Sequence, residues 1–185
     1  MAAHTHFKLT YEDYLLIPND GKRHELLDGE HFMTPSPNTR HQRIVGNLYY
    51  ALRTYIAAHR LGEVFVAPYD VVLSPYDICE PDIMLVSKDQ ASIVTSTNIQ
   101  GVPALIVEVL SDSTRKLDEA YKRDRYEQAG LKEYWIVDPA VDLVKVLRLG
   151  DHGYGQPIEL RLERKDELTS PLLGAFRLPL MTLFE

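Results

Sequence analysis

The sequence contains a single cysteine, Cys79, among its 185 residues. One thiol excludes an intrachain disulfide and a cysteine-based zinc cluster, and it fits a reducing compartment. The chain lacks a basic leader followed by an apolar segment, and no window approaches ~18 consecutive apolar residues, so we expect a cytoplasmic protein. Positive charge is also scarce, with 20 Lys and Arg against 27 Asp and Glu and a net charge of −7. This deficit argues against nucleic-acid binding by bulk electrostatics alone, although carboxylates around a metal can coexist with a locally basic surface.

Turn residues and apolar spacing predict one α/β domain over residues 1–185, with a mixed central β-sheet flanked by helices and an N-terminal hairpin. Asp28-Gly29 is a strong hairpin signal, and apolar residues at helical spacing over 39–59, followed by Gly62, predict a long helix. A short helix is expected over 10–16 and another over 114–129, closed by Gly130. The expected extended segments are residues 23–28, 30–34, 64–66, 70–73, 81–86, 104–110, 134–137, 143–149 and 158–162, with the four from 64 to 110 in one sheet.

Two acidic residues interrupt runs that are otherwise apolar. Glu108 lies within residues 104–110, the most apolar strand in the chain, and Asp82 opens the strand over 81–86. A buried carboxylate is costly to desolvate unless a cation or strong donors compensate it. Two carboxylates on separate buried strands would repel each other unless positive charge lies between them. Carboxylate oxygens are hard ligands, which suit Mg²⁺ or Mn²⁺. The alternatives are that Glu108 reaches water or an arginine at a sheet edge, and that Asp82 is a strand-end cap.

The helix expected after Glu108 has two candidate inward stripes. Lys122 belongs to one stripe with Asp118 and Tyr126, four residues apart. The other stripe comprises Leu117, Ala120, Tyr121 and Gln128. The spacing leaves both orientations open, so Lys122 either faces the interior or forms an exposed ion pair with Asp118.

This order of motifs resembles the Uma2 group of endonucleases, a branch of the PD-(D/E)xK nuclease superfamily, over nearly the whole chain. The strongest match runs from residues 106–114 through Lys122, Tyr126 and Ala129-Gly130 to residues 133–139. The other matching stretches are residues 24–30, 35–42, 70–74 and 81–83. Short motifs of this superfamily are weak singly, whereas an ordered series is specific.

The resemblance implies a restriction-endonuclease-like core and a Mg²⁺-dependent or Mn²⁺-dependent DNA endonuclease. Asp82 would be the motif aspartate and Glu108 the motif acid, with the Val109 backbone carbonyl as a further metal ligand. The superfamily lysine would stand two positions after Glu108, where this chain has Leu110. Lys122 matches a helix lysine that is thought to replace it in Uma2-like sequences.

The same resemblance extends to a fourth side chain, to the products and to the assembly. Glu25 matches an acidic residue in the N-terminal segment of the family and would join the site, unless it is a solvent-facing hairpin residue. Cleavage would leave a 5′-phosphate and a 3′-hydroxyl. A homodimer is expected because a two-fold assembly suits symmetric cleavage of a duplex.

Basic residues cluster in two places and are candidates for contacts with DNA phosphates. They are Arg40, His41 and Arg43 at the start of the long helix, and Arg115, Lys116, Arg123 and Arg125 around Lys122. The alternative is a solvent-exposed helix surface on which these basic residues pair with neighbouring acidic residues. The seven histidines show no zinc-type spacing, so no metal is assigned to them.

Two other function classes stay open. A non-catalytic, nuclease-like dimeric scaffold that binds nucleic acid or protein would explain Leu110 at the lysine position and the net acidity. A metal-dependent phosphatase or nucleotide hydrolase would use similar ligands, but the chain has no Gly-rich phosphate loop of the Walker type.

Overall fold

A computed structural model describes residues 7–18 and 20–185 of the chain. The helices are α1 (Tyr11–Tyr14), α2 (Thr39–His59), α3 (Arg123–Ala129) and α4 (Leu180–Phe184), and a π-helical turn (Leu117–Lys122) directly precedes α3. The strands are β1 (Arg23–Leu27), β2 (Glu30–Thr34), β3 (Gly62–Val66), β4 (Val71–Ser74), β5 (Asp77–Cys79), β6 (Ile83–Ser87), β7 (Ile99–Gln100), β8 (Leu105–Val109), β9 (Glu133–Asp138), β10 (Leu143–Gly150), β11 (Gly153–Tyr154), β12 (Ile158–Arg161), β13 (Glu167–Thr169) and β14 (Arg177–Pro179). Short 3-10 turns occupy Lys88–Ile93, Leu162–Arg164 and Pro171–Leu173.

The strands form two main sheets, and the expectation of one sheet between residues 64 and 110 is wrong. A seven-stranded sheet has the order β11-β10-β9-β8-β6-β3, with β12 also paired to β10, and only β8 and β9 in it run parallel. A five-stranded sheet has the order β2-β1-β5-β4-β7. Strand β4 joins the N-terminal hairpin in this second sheet because β5 lies between them, with Leu26 opposite Ile78. Strand propensity predicts extended backbone but not its partner, since pairing depends on contacts between distant residues.

The N-terminal hairpin has the turn that its sequence predicts. Asp28 and Gly29 link β1 to β2 with φ values of 53° and 77°, and Leu27 stands opposite Glu30. A two-residue turn with both φ values positive matches the right-handed twist of the flanking strands, and Gly and Asp tolerate that conformation. The hairpin therefore holds β1 in a defined register against β5.

Helix α2 has the predicted bounds, but its left-handed C-terminal residue is not the expected glycine. The Asn38 side chain caps it by accepting from the His41 backbone N–H at 2.9 Å. The helix ends at Arg60, which has a left-handed φ of 53°, rather than at Gly62. Gly62 is instead the first residue of β3. A Cβ there would clash with the Val86 carbonyl, so glycine allows β3 to approach β6 closely.

The two faces of the seven-stranded sheet have different partners. One face packs on α2, α4 and the short β13 and β14 pair, and β8 contributes Leu105, Val107 and Val109 to it. The other face packs on the five-stranded sheet and α3, and it includes Ile106 of β8 and Leu110 directly after that strand. Full burial of such aliphatic side chains stabilises the fold by roughly 1.5–3 kcal/mol each. Within the described residues, no helix combines the length and the apolar character needed to cross a membrane.

Candidate active site

Glu108 lies on a central strand of the seven-stranded sheet. Strand β8 pairs with β6 on one side and with β9 on the other, so Glu108 is not at a sheet edge. Its side chain shares a face with Ile106 and Leu110, as strand alternation predicts. Only 3% of Glu108 is exposed, so the alternative in which this carboxylate reaches water is wrong.

Lys122 places its ammonium group among three carboxylates. Its Nζ lies 2.8 Å from Glu108 Oε1, 2.8 Å from Glu25 Oε1 and 3.4 Å from Asp118 Oδ1. Tyr126 also donates its hydroxyl to Glu108 Oε1, at 2.9 Å. The π-helical turn and α3 thus bury the stripe that contains Asp118, Lys122 and Tyr126, and the alternative of an exposed Lys122 is wrong. Such π-helical turns frequently occur at functional sites.

Strand β1 contributes two side chains on one face. Glu25 is 1% exposed, and its Oε1 accepts from the Glu80 backbone N–H at 2.8 Å as well as from Lys122. It is therefore not a solvent-facing hairpin residue. Arg23 lies two positions earlier, and strand alternation turns it to the same side. The hairpin thus brings one anion and one cation to the cleft.

Asp82 receives donors on both carboxylate oxygens. Its Oδ1 accepts from Arg23 Nη1 and Nη2, each at 3.1 Å. Its Oδ2 accepts from the Val109 backbone N–H at 2.9 Å and lies 3.0 Å from His41 Nε2. The Asp82 backbone N–H lies 3.4 Å from Glu108 Oε2, and both residues line the same cleft.

Burial and crowding of like charges shift the pKa values in this cleft. Burial, together with the negative charges of Asp118 and Asp82, raises the pKa of Glu108 to about 8 against the opposing effect of Lys122. Burial likewise raises the pKa of Asp118. Burial alone would raise the pKa of Asp82, but the hydrogen bond and charge of His41 and the charge of Arg23 hold it below the ordinary value.

The charge of Lys122 is stabilised by its surroundings. Burial would lower its pKa, but Glu108, Glu25 and Asp118 together raise the pKa well above the ordinary value. The residue therefore stays an ammonium group at neutral pH. It can donate hydrogen bonds and positive charge, but it cannot act as a general base.

The donor set of the cleft fits a hard divalent cation. Asp118 Oδ1 is buried without a hydrogen bond in the described part of the chain, and Glu108 Oε2 accepts a long hydrogen bond of 3.4 Å from the Asp82 amide. Carboxylate oxygens are the ligands that Mg²⁺ and Mn²⁺ prefer. About 20 Å³ of free space lies between the side chains, enough for one water-sized particle.

The carboxylates of the cleft are currently bridged by side chains of the protein. Within residues 7–18 and 20–185, no three His, Cys, Asp or Glu side chains converge with the geometry of a metal centre. Lys122, Arg23 and His41 lie between the acidic groups instead. A divalent ion would therefore have to compete with cationic or neutral donors of the chain itself.

The basic residues considered for nucleic-acid contacts divide into three groups. His41 is 5% exposed and contacts Asp82, so the alternative of a solvated surface is wrong for this residue, because it faces the cleft from the first turn of α2. Several of the others are paired with acids. These pairs are Arg40 with Asp142, Arg115 with Asp138 and Arg125 with Asp28. Arg43 and Lys116 are exposed, and Arg123 is half-buried with its Nε lacking a hydrogen bond among the described residues.

Two residues of the cleft were absent from the sequence-based site. Arg23 lines the cleft and Glu80 lies beside Arg23, and each stands two positions before a residue that was considered, Glu25 and Asp82 respectively. Strand alternation from Glu25 could have indicated Arg23. Glu80 precedes β6 and had no comparable signal. The rest of the cleft wall consists of Thr34, Pro35, Pro37, Ser111 and Thr114.

Comparisons with known proteins agree with this architecture. The Uma2 family model, described as "Putative restriction endonuclease", matches residues 11–181. A solved structure of a "putative nuclease belonging to DUF820" from Anabaena variabilis ATCC 29413 superposes with a TM-score of 0.81 at 17% identity, over 95% of this chain and 97% of that one. At that identity the superposition establishes the fold. The search of curated proteins found no match. Because the family model covers nearly all of the sequence, the chain belongs to the Uma2 family.

Proposed function

We propose that the protein is a divalent-metal-dependent nuclease that hydrolyses phosphodiester bonds of DNA, leaving a 5′-phosphate and a 3′-hydroxyl. Membership in a family described as restriction endonucleases supports a nuclease role. The observation that carries the proposal is that the buried acids Asp82 and Glu108 line one cleft with Lys122, whose ammonium lies 2.8 Å from Glu108. Structural ion pairs rarely gather several buried carboxylates around one lysine, because each added anion raises the desolvation cost.

In this proposal Asp82, Glu108 and the Val109 carbonyl hold a Mg²⁺ or Mn²⁺ ion. The amide and carbonyl of one extended residue point to the same edge of a strand, and the Val109 amide already points to Asp82. When bound, the ion supplies Lewis acidity, which lowers the pKa of coordinated water and neutralises charge on the phosphate. Its charge would also favour the ionised form of Glu108, whose pKa is otherwise raised.

Lys122 acts as a fixed positive charge in this mechanism. Its ammonium group donates hydrogen bonds to the attacking water or to a non-bridging phosphate oxygen, which stabilises the charge that develops in the transition state. Glu25 and Asp118 position Lys122 and keep it protonated. Water attacks phosphorus and gives up a proton to a neighbouring solvent molecule, the bond from phosphorus to the 3′ oxygen breaks, and that oxygen takes a proton from solvent to become the 3′-hydroxyl.

The direct test is cleavage of supercoiled plasmid DNA by the purified protein with Mg²⁺ or Mn²⁺. We expect Asp82→Asn and Glu108→Gln to lose at least about 10³-fold in rate, because charge stabilisation by a metal contributes several kcal/mol. Glu163→Gln, at an exposed position, is the matched control. Ligation of the products without prior phosphorylation tests the 5′-phosphate. Equal cutting by wild type and both site variants would contradict the proposal.

A non-catalytic scaffold is the second candidate function. It is favoured by Leu110 at the superfamily lysine position and by the full occupancy of the Asp82 oxygens by protein donors. Titration with Mn²⁺ followed by calorimetry separates the two candidates, because a scaffold would bind no Mn²⁺ in the cleft and gain no thermal stability from it.

The assembly is part of the same proposal. A homodimer would present two clefts to the two strands of a duplex. Sedimentation of the purified protein at several concentrations tests this directly, and a monomer throughout the micromolar range would contradict it.

A further inference from the structure

The hydrogen bonds of Asp82 leave no acceptor position for a further partner. A carboxylate offers about four lone-pair positions. Arg23 takes two on Oδ1 at 3.1 Å, while the Val109 amide at 2.9 Å and His41 Nε2 at 3.0 Å take two on Oδ2. One of these donors must leave before Asp82 can bind anything else.

Arg23 is the donor best able to leave. The Val109 amide belongs to the β8 backbone, and His41 is fixed in the first turn of α2 with only 6% of its side chain exposed. The Arg23 side chain is 25% exposed and has a long flexible stem, so its guanidinium can turn without moving the backbone.

A second carboxylate, that of Glu80, lies close to Arg23. Arg23 Nε is 3.8 Å from Glu80 Oε2, beyond hydrogen-bond distance. That Glu80 oxygen is buried and has no hydrogen bond among the described residues. A small rotation of the guanidinium would therefore exchange Asp82 for Glu80 as the acidic partner of Arg23.

We infer that Arg23 is a built-in competitor of the divalent ion for Asp82, and that it moves to Glu80 when the ion binds. This inference rests on the proposed function for the identity of the ion. Arg23 is thus a positioning residue that balances the charge of Asp82 in the metal-free protein. It sets the metal concentration at which the ion binds in the cleft. The apparent affinity for the ion falls as the fraction of molecules in which Arg23 occupies Asp82 rises.

Calorimetric titration with Mn²⁺ alone tests the competition without any substrate. We expect Arg23→Gln to tighten Mn²⁺ binding about tenfold, because the competing guanidinium is gone. We expect Glu80→Gln to weaken Mn²⁺ binding about threefold, because the displaced Arg23 then lacks a charged partner. Arg23→Lys, which keeps the charge without the bidentate contact, should fall between wild type and Arg23→Gln.

The double variant Arg23→Gln/Glu80→Gln distinguishes exchange from a general structural effect. If Glu80 acts only by receiving Arg23, the double variant should bind Mn²⁺ as tightly as Arg23→Gln alone, so the two changes are not additive. Arg148→Gln is the matched control, since Arg148 pairs with the buried Glu133 outside the cleft. It should leave Mn²⁺ affinity unchanged. Chemical denaturation of each variant verifies that it is folded before titration.

Several outcomes would overturn the inference. Unchanged or weaker Mn²⁺ binding by folded Arg23→Gln and Arg23→Lys, additive effects in the double variant, or no Mn²⁺ binding by any protein would each do so. Failure of the proposed function is distinguishable from these results. Tighter binding by Arg23→Gln in a protein that does not cut DNA would support the exchange and reject the nuclease. Cutting that depends on Glu108, with no effect of Arg23 on Mn²⁺ affinity, would do the reverse.

Discussion

Two glutamates are buried on neighbouring parallel strands, and the charges that surround them differ. Glu108 on β8 is 3% exposed and Glu133 on β9 is 1% exposed, but they lie on opposite faces of the seven-stranded sheet. Glu133 accepts from Arg148 Nε at 2.9 Å and from the Ser170 hydroxyl, and Arg148 reaches solvent with 37% of its side chain exposed. One anion there is matched by one cation.

Glu108 is not matched in this way. It shares the ammonium of Lys122 with Glu25 and Asp118, and Asp82 is its direct neighbour. The cleft therefore holds more carboxylates than lysines, and an oxygen of Asp118 has no hydrogen bond among the described residues. Burial alone does not indicate function, since both glutamates are buried. The excess of anions, which a structural pair would avoid, marks the site.

The largest expected contrast is in cleavage rate. Glu108→Gln should reduce cleavage at least about 10³-fold if it removes a metal ligand, whereas Glu133→Gln should change the rate less than about threefold because Glu133 lies on the other face of the sheet. Initial rates on plasmid DNA with Mg²⁺ measure both. A comparable loss in the two variants would mean that folding, rather than the cleft, limits activity.

The next contrast is in stability. Lys122→Met leaves Glu25, Glu108 and Asp118 without their shared cation, and we expect the free energy of unfolding to fall by about 3 kcal/mol. Arg148→Met should lower it by only about 1 kcal/mol, because solvent screens the partly exposed Arg148 and the Ser170 hydroxyl still donates to Glu133. Urea denaturation at neutral pH measures both values. Equal losses would show that Lys122 and Arg148 are both ordinary structural partners.

A smaller effect is expected in the pH dependence of stability. Burial raises the pKa of Glu108 to about 8 from an ordinary value near 4.5, so the folded state holds an extra proton between these values. The free energy of unfolding should therefore fall as pH rises from about 5 to 8, by at most about 1.4 kcal/mol per pH unit. Denaturation in the presence of a chelator measures the slope. Glu108→Gln should flatten it, whereas a slope unchanged by that substitution would assign the proton to another group.

The smallest effect concerns the exposed cations. Lys116 forms no ion pair with a described residue, whereas Arg115 pairs with Asp138 at 2.6 Å. If the surface beside the cleft binds DNA, Lys116→Ala should weaken binding a few-fold and reduce the salt slope of log K by about one. Fluorescence anisotropy with Ca²⁺ in place of Mg²⁺ measures this. Exposed Lys165→Ala serves as the control, and equal effects of the two changes would indicate non-specific attraction.

Local signals were sufficient for most of the elements. The hairpin turn at Asp28-Gly29 and the bounds of α2 follow from two-residue turn chemistry and from apolar spacing, both of which act within a few residues. The π-helical turn, the separate five-stranded sheet and the strands after residue 165 were not predicted. They depend on packing against distant parts of the chain, which local propensity does not contain.

The candidate site shows the same division. Glu108 and Asp82 stand out in the sequence because acidic residues interrupt apolar strands, and the Uma2 resemblance adds Lys122 and Glu25. The sequence alone thus determined the family, the kinds of element and the carboxylates that have to be compensated. Only the tertiary structure decided which face of the helix carries Lys122 inward, that His41 contacts Asp82, and that Arg23 lines the cleft with Glu80 beside it. The physical reason is that charge compensation acts across a few ångströms of space, between residues as far apart in sequence as Arg23 and Asp82.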